Sequence, residues 1–124
     1  MKTALDSSFI LEILLRRHNS EKCAEILGKI KGNIGISIIT VHHAYHFGKK
    51  AGIEFEKITR LLLDFHVFVS SVTDHSIALE IHRGSDFEDA LQVACALNNS
   101  CDQFVTLDQK LCNRYRGLLK MITL

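Results

Sequence analysis

The sequence predicts a single α/β domain built on a central, mainly parallel sheet, and three observations support this fold class. Short apolar runs, which are typical of buried strands, alternate with longer segments of helical periodicity. The chain has 124 residues, close to the usual size of one domain, so residues 1–124 are expected to share one fold. Hydrophobic residues make up 47% of the sequence, which is enough for a sizeable core.

In the first part of the chain, two strands and four helices are expected. Residues 3–5 and 34–37 are short apolar runs and are predicted to be buried strands. Helical spacing of apolar residues predicts helices over residues 7–18, 19–30, 38–50 and 54–64. Serine and asparagine begin the first two helices, where their side chains can accept hydrogen bonds from free amides, and glycines mark later ends.

The second part of the chain repeats this alternation. Apolar runs predict strands over residues 67–69, 104–107 and 119–123. Helical periodicity predicts helices over residues 74–83 and 85–98 and a short helix ending at about residue 115. Ser85 and Glu88 have the spacing of a capping box, which predicts the start of the helix 85–98.

Composition excludes several classes of protein. The formal net charge is +1, which does not indicate a strongly basic nucleic-acid binder. No apolar stretch approaches the roughly 20 residues that span a bilayer, and a carboxylate occurs too early for a signal peptide. The four cysteines match no common zinc module and are expected to be buried, reduced thiols. A cytoplasmic protein without a membrane segment is therefore expected.

Four aspartates stand where a metal site would need them. Asp6 and Asp108 directly follow apolar runs, and Asp86 and Asp89 open a predicted helix. The carboxyl ends of parallel strands meet at one edge of a sheet, so these side chains are expected to converge there. Clustered carboxylates repel one another, and a site that gathers them usually holds a hard divalent cation.

Each aspartate also has a purely structural explanation. Asp6 and Asp108 can cap the helices that follow them, and acids in a first turn, such as Asp86, stabilise the helix dipole. If all four only cap helices, the chain is a structural domain without a metal. A haloacid-dehalogenase-type phosphatase is not indicated, because Ser8 stands where a second aspartate is needed, and no Gly-rich phosphate loop is present.

Three segments resemble the motifs of PIN-domain proteins. Residues 85–97, SDFEDALQVACAL, resemble the central motif of this family, and residues 104–108, FVTLD, resemble its later Thr-x-Asp motif. Residues 4–11, ALDSSFIL, resemble the opening Asp motif. The element order and length match as well, so the resemblance covers essentially the whole chain. It implies a three-layer α/β/α fold and a ribonuclease that depends on Mg²⁺ or Mn²⁺.

The resemblance also implies roles and partners. Asp6, Asp89 and Asp108 match the acidic catalytic and metal-binding positions, and Asp86 matches a frequent additional acid. Thr106 matches the polar residue beside the last aspartate. The chain is similar to VapC-type toxins, which implies an RNA substrate, an antitoxin protein as partner and a homodimer. The apolar segments 9–15 and 58–65 are richer than one small core needs and are candidate docking surfaces.

One departure from the family pattern concerns a histidine. The family has a Ser-x-x-Thr-x-x-Glu pattern after the second strand, and here Ser37, Thr40 and His43 occupy those positions. The site therefore lacks one of its usual carboxylates. His43 is expected to join the metal ligands, which would favour Mn²⁺ over Mg²⁺. The alternative is a PIN-like domain with weakened catalysis that serves as an RNA- or protein-binding module.

Basic residues near the mouth of the site would hold the RNA backbone. The candidates in the sequence are Arg16, Arg17, Lys49, Lys50, Lys110, Arg114 and Arg116.

Overall fold

The computed structural model describes residues 1–84 and 86–124, and this part of the chain contains five strands and seven helices. The strands are β1 (Lys2–Leu5), β2 (Asn33–Ile36), β3 (His66–Val67), β4 (Gln103–Val105) and β5 (Lys120–Ile122). The helices are α1 (Ser7–Leu14), α2 (Ser20–Lys29), α3 (Ile38–Lys50), α4 (Phe55–Leu62), α5 (Val72–Ile81), α6 (Phe87–Asn98) and α7 (Gln109–Tyr115). Each predicted element is present; α3 has the predicted bounds, and most of the others have shifted ends.

The five strands form one sheet in the order β3-β2-β1-β4-β5, and every neighbouring pair is parallel. The central strand is β1, in which Thr3 pairs with Ile34 on one side and Gln103 on the other. Because all strands run in one direction, their carboxyl ends share one edge of the sheet. The helices that directly follow β1, β2 and β4 begin at that edge, which also positions their first turns there.

Helices cover both faces of the sheet, so the predicted three-layer α/β/α fold is confirmed. Successive residues of a strand point to opposite faces. Ala4 of β1 and Phe104 of β4 pack in one core with residues of α5, α6 and α7. Leu5 and Val105, one position later, pack in the other core with residues of α1, α2, α3 and α4. The two apolar layers hold the sheet between them.

Some predicted boundaries were wrong. The first helix ends at Leu14 rather than near residue 18, and Arg16 adopts a positive φ of 50° in the turn that follows. The helix α6 begins at Phe87, after Asp86. The predicted capping box involves Ser85, which lies outside the described residues. The strand β3 has two residues and forms an edge of the sheet, where only one neighbour can pair with it.

The four cysteines agree with the prediction of buried, reduced thiols. All four are free thiols with buried side chains, as expected. Burial raises the pKa of the Cys23 thiol to about 11 and that of Cys95 to about 12, so both are held in the neutral form. Within residues 1–84 and 86–124, no helix combines the length and the hydrophobicity needed to cross a bilayer.

Candidate metal centre

Asp6 lies at the carboxyl end of β1, at the centre of the sheet edge. Its backbone amide donates to the Val105 carbonyl oxygen at 2.8 Å, which extends the pairing of β1 with β4 by one residue. Asp6 as a whole is 3% exposed. Its carboxylate oxygen Oδ2 accepts hydrogen bonds from Ser8 Oγ at 2.7 Å and Thr106 Oγ1 at 2.8 Å. The side chain makes no capping hydrogen bond to α1. Asp6 stands at the N-cap of α1, but capping does not account for the two side-chain hydrogen bonds that hold its carboxylate.

The environment of Asp6 favours its neutral form. Burial raises the pKa of the Asp6 carboxyl above its usual value of 3.8, because the charged form loses its hydration. The hydrogen bonds from Ser8 and Thr106 act in the opposite direction, since they stabilise the carboxylate. A nearby positive charge would therefore stabilise the charged form of Asp6.

Asp89 lies in the first turn of α6 and is partly buried. Its pKa is raised to about 7, first by burial and then by the negative charges of Asp86, Asp6 and Asp108. The positive charge of Arg114 lowers this pKa but does not offset the other effects. Among the described residues, none donates a hydrogen bond to the Asp89 carboxylate. The fold thus brings all four predicted aspartates to one edge of the sheet.

Asp86 and Asp108 each cap a helix with one carboxylate oxygen. Oδ1 of Asp86 accepts from the amides of Glu88 at 2.9 Å and Asp89 at 3.4 Å, at the start of α6. Oδ1 of Asp108 accepts from the amides of Lys110 at 2.9 Å and Leu111 at 3.2 Å, at the start of α7. The capping explanation is correct for these two residues. It leaves Oδ2 of each without a hydrogen bond from the residues that the structure describes.

The carboxylates influence one another electrostatically without forming a ready-made ligand cluster. In the described part of the chain, no three Asp, Glu, His or Cys side chains are grouped closely enough to hold a metal ion. The set of donors nevertheless fits a hard divalent cation. Its oxygen atoms are the ligands that Mg²⁺ and Mn²⁺ prefer, and the charge repulsion at Asp89 is what a cation would relieve.

His43 is engaged at both ring nitrogens. Nδ1 lies 2.7 Å from Ser7 Oγ, and Nε2 lies 2.6 Å from Glu88 Oε1. Either ring nitrogen could therefore ligate a metal ion beside Asp6 or Asp89 only if one of these two contacts were broken. Glu88 was absent from the predicted site. The signal that could have found it is its place in the first turn of α6, beside Asp89 on the same helix.

A buried network of hydrogen bonds holds Ser7, the residue that contacts His43 Nδ1. Oε1 of Gln92 accepts from the Ser7 amide at 3.2 Å and from Thr40 Oγ1 at 3.0 Å. The hydroxyls of Ser7 and Thr40 lie 2.9 Å apart, and the Thr40 amide donates to Ser37 Oγ at 3.2 Å. Sequence reasoning missed Gln92, although a glutamine on the inward face of an otherwise apolar helix was a visible signal. This network joins α1, α3 and α6 at the sheet edge.

The predicted basic residues are divided between two ends of the molecule. Arg114 is close enough to lower the pKa of Asp89, and its guanidinium packs over Gly84. A Cβ at Gly84, which has a φ of +89°, would lie 2.8 Å from Arg114 Cζ. By contrast, Arg16 and Arg17 follow the far end of α1, and Lys49 and Lys50 end α3, which is about 20 Å long. These four were wrong as candidates for the mouth of the site.

A separate groove, lined by both apolar and charged residues, lies away from the carboxylates. It has a volume of about 820 Å³ and is formed by the end of α1, the turn after α3, and α4. Ile13, Leu14 and Leu61 line it together with the charged residues Arg16 and Arg60. The predicted apolar segments thus contribute both to the core, through Phe9, Ile10, Ile58 and Leu62, and to this groove.

Comparison with known protein families gives a match over most of the chain. A family profile described as "PIN domain" matches residues 3–117. No curated protein is similar enough in sequence to count as a match.

Three solved structures share the fold. A chain of a toxin–antitoxin complex from Klebsiella pneumoniae is 16% identical with a TM-score of 0.81, over 98% of this chain and 96% of that one. A chain of VapBC-1 from nontypeable Haemophilus influenzae is 17% identical with a TM-score of 0.74, over 99% and 98%. A chain of VapBC2 from Rickettsia felis, bound to a promoter DNA fragment, is 16% identical with a TM-score of 0.70, over 100% and 99%.

Proposed function

Because this chain belongs to the PIN-domain family, whose members are usually nucleases, we propose that it is a metal-dependent ribonuclease that hydrolyses RNA phosphodiester bonds. The observation that carries this proposal is the environment of Asp89. This carboxylate is partly buried among Asp6, Asp86 and Asp108, and its pKa is raised to about 7. A fold does not keep four like charges together for stability, so the arrangement is best explained by a cation that binds there.

Asp6, Asp89 and Asp108 would hold the cation, with Asp86 at the rim. A bound Mg²⁺ or Mn²⁺ supplies a water of lowered pKa and stabilises charge on the leaving oxygen. Ser8 and Thr106 fix the orientation of the Asp6 carboxylate through their hydrogen bonds to Oδ2. Asp108 is fixed by its cap of α7 through Oδ1, and its Oδ2 accepts no hydrogen bond from the described residues.

Two basic residues are placed to bind the substrate backbone. Arg114 lies within electrostatic range of Asp89, and Lys110 stands in the first turn of α7, two residues after Asp108. A phosphodiester bound beside the carboxylates would be neutralised by these side chains, which contact phosphates without reading sequence. These contacts suit any phosphodiester backbone, and the choice of RNA as the proposed substrate rests on the family match.

We further propose that the chain is the toxin of a toxin–antitoxin pair and forms a homodimer. Support comes from the similar structures, which are chains of toxin–antitoxin complexes. The groove between α1 and α4 and the exposed Leu63 provide apolar surface for a partner helix or a second copy. Sedimentation of the purified chain tests the dimer, and a strict monomer at high concentration would contradict it.

The test of the main proposal is cleavage of structured RNA with Mg²⁺ and with Mn²⁺, beside an Asp89→Asn variant. We expect metal-dependent cleavage by the wild type and a loss of at least about a hundredfold in the variant, since a ligand is removed. Asp64→Asn, which removes an exposed aspartate after α4, serves as the control and should cleave normally.

A second candidate function rests on His43. If the wild type is inactive with either metal but binds RNA or a protein, the domain is a binding module. The observation that favours this function is the histidine at the position where the family pattern has a glutamate.

A further inference from the structure

The guanidinium of Arg114 lies flat against the backbone of Gly84. A Cβ built on Gly84 would lie 2.8 Å from Arg114 Cζ and 3.0 Å from both Nε and Nη2. Because the central carbon is nearer than the two nitrogens, Gly84 faces the plane of the group and not its edge. Gly84 also has a φ of +89°, a conformation that favours glycine. Both the contact and the backbone therefore require a residue without a side chain here.

This flat packing leaves the N–H edge of Arg114 available for a ligand. The residue is half-buried, and its five donors lie in one plane, so the group needs acceptors at its edge. Among residues 1–84 and 86–124, the only ion pair joins His43 and Glu88, so no carboxylate pairs with Arg114. By contrast, Arg116 donates to Asn113 Oδ1 at 2.6 Å.

The contact lies beside the aspartates at the sheet edge. The charge of Arg114 lowers the pKa of Asp89, which requires the two side chains to be near each other. Gly84 precedes Asp86, the N-cap residue of α6, by two positions. Arg114 stands in the last turn of α7, the helix that Asp108 caps. Gly84 and Arg114 therefore join the segment that leads into α6 to the helix α7.

We propose that Gly84 is a positioning residue whose bare backbone holds the Arg114 guanidinium, so that its N–H edge binds a phosphate of the RNA backbone beside the aspartates. A guanidinium can donate two parallel hydrogen bonds to two phosphate oxygens, which a lysine ammonium does not match. Holding the group flat reduces the freedom that it would lose on binding. This inference rests on the proposed function, because it takes RNA as the ligand.

Binding of a fluorescently labelled single-stranded RNA, followed by anisotropy in chelator, tests the proposal. All variants are made in an Asp89→Asn background, which prevents cleavage and reduces repulsion of the RNA. We expect Arg114→Ala to weaken binding by about tenfold, since a charge-assisted contact is lost. Gly84→Ala should have a similar effect, because its Cβ displaces the guanidinium. The double variant should bind as Arg114→Ala does, since Gly84 acts through Arg114.

Two matched controls separate this role from general effects. Gly52→Ala places a Cβ on another glycine of positive φ, +78°, but no atom lies within 4 Å of that Cβ. It should therefore cause similar backbone strain and leave RNA binding unchanged. Arg17→Ala removes an exposed arginine at the far end of α1 and should also leave binding unchanged. Thermal melting of each variant checks that it folds.

Arg114→Lys separates the shape of the guanidinium from its charge and leaves the strained glycine untouched. We expect binding at least about fivefold weaker than with arginine, since the paired hydrogen bonds are lost. In the cleavage assay, with Asp89 restored, the same variant should raise KM for RNA and change kcat by less than about twofold. A purely structural role of Arg114 would not produce this division between KM and kcat.

The outcomes distinguish failure of this inference from failure of the proposed function. If Gly84→Ala binds RNA as tightly as Gly52→Ala, or Arg114→Lys as tightly as arginine, the inference is overturned and the nuclease proposal stands. If the chain binds RNA with the expected losses but the wild type cleaves with neither metal, the proposed nuclease fails and the role of Gly84 stands. If it neither binds nor cleaves RNA, both fail.

Discussion

The helices α3 and α6 begin at the same edge of the sheet but carry opposite chemistry there. The first turn of α3 contains no acidic residue, and two adjacent histidines, His42 and His43, follow it. The start of α6 carries three acids, with Asp86 at its cap and Glu88 and Asp89 in its first turn. Both helix starts have the partial positive charge that favours acids. Of these two helices, only α6 has acidic residues at its start, so α6 carries negative charge of the site and α3 does not.

This concentration has a cost that falls on Asp89. Its pKa is raised to about 7 because it is partly buried and because Asp86, Asp6 and Asp108 are negative. His43 adds a hydrogen-bond donor from α3 without adding another carboxylate. The difference between the two helices shows that α3 contributes a hydrogen-bond donor where α6 contributes carboxylates. The following predictions either break or sharpen this comparison.

The largest expected effect is on the pH dependence of metal binding at α6. A cation binds the carboxylate form of Asp89, so below pH 7 binding must release a proton. Mg²⁺ affinity should therefore rise by up to about tenfold per pH unit up to pH 7 and then level off. Titrations at several pH values measure this slope. An affinity that is independent of pH between 5.5 and 8 would contradict the raised pKa of Asp89.

A smaller effect is expected on the metal preference of cleavage when His43 of α3 is replaced. If His43 stays bound to Ser7 and Glu88 and does not ligate the metal, the ratio of cleavage rates with Mg²⁺ and Mn²⁺ should differ by less than about threefold between the wild type and His43→Glu. The comparison uses both metals at saturating concentration. A strong Mn²⁺ preference in the wild type that His43→Glu abolishes would show that nitrogen ligation separates the two helices.

Removing the charge of Asp89 should stabilise the metal-free protein. The folded-state pKa is raised from 3.8 to about 7, so the stability that this group contributes is full below pH 4 and is lost as pH rises to 7. In chelator at pH 8, Asp89→Asn should therefore melt a few degrees above the wild type. At pH 4 the two should melt together. A variant that melts at or below the wild type at pH 8 would contradict this.

The smallest effect is expected directly after β4, where neither helix contributes. Thr106→Val removes the hydrogen bond to Asp6 Oδ2, for which Ser8 remains as side-chain donor, and it also removes the acceptor of the Asp108 amide. We expect a loss of about 1–2 kcal/mol in the free energy of unfolding, measured by urea denaturation in chelator at pH 7. The pKa of Asp6 should also rise further, since one stabilising contact is lost. Thr73→Val, at an exposed position of α5, is the control and should change stability little.

The fold could be predicted from the sequence because its signals are local. The apolar runs and the helical spacing of residues such as Phe9 and Ile10 determine which segments are buried, and these are independent of the rest of the chain. The four aspartates could be found for the same reason, because Asp6 and Asp108 follow apolar runs that end at the sheet edge, and Asp86 and Asp89 open a helix with clear periodicity. Their shared site follows from the parallel order of strands, which the alternation of elements already indicated.

The rest of the site depends on contacts between distant segments. The contact of His43 with Glu88 joins residues 45 positions apart, and Gln92 accepts from Ser7 across 85 positions. No periodicity encodes such a pairing, because it depends on how α3 and α6 are placed against α1. The end of α1 was missed for a simpler reason: the turn at Arg16 needs a positive φ, and no glycine or asparagine marks it.

The central position of β1 has a consequence for the order in which the chain becomes functional. Asp6 is synthesised before its hydrogen-bond partner Thr106, which follows 100 residues later in the chain. The strand β1 pairs with β4 over a similar distance, so its second neighbour is absent while the residues between the two strands are being made. At about 5–20 residues per second, this delay lasts roughly 5–20 seconds. A nascent or truncated chain without β4 therefore has no assembled centre, and any activity of this site would emerge only after β4 has been made.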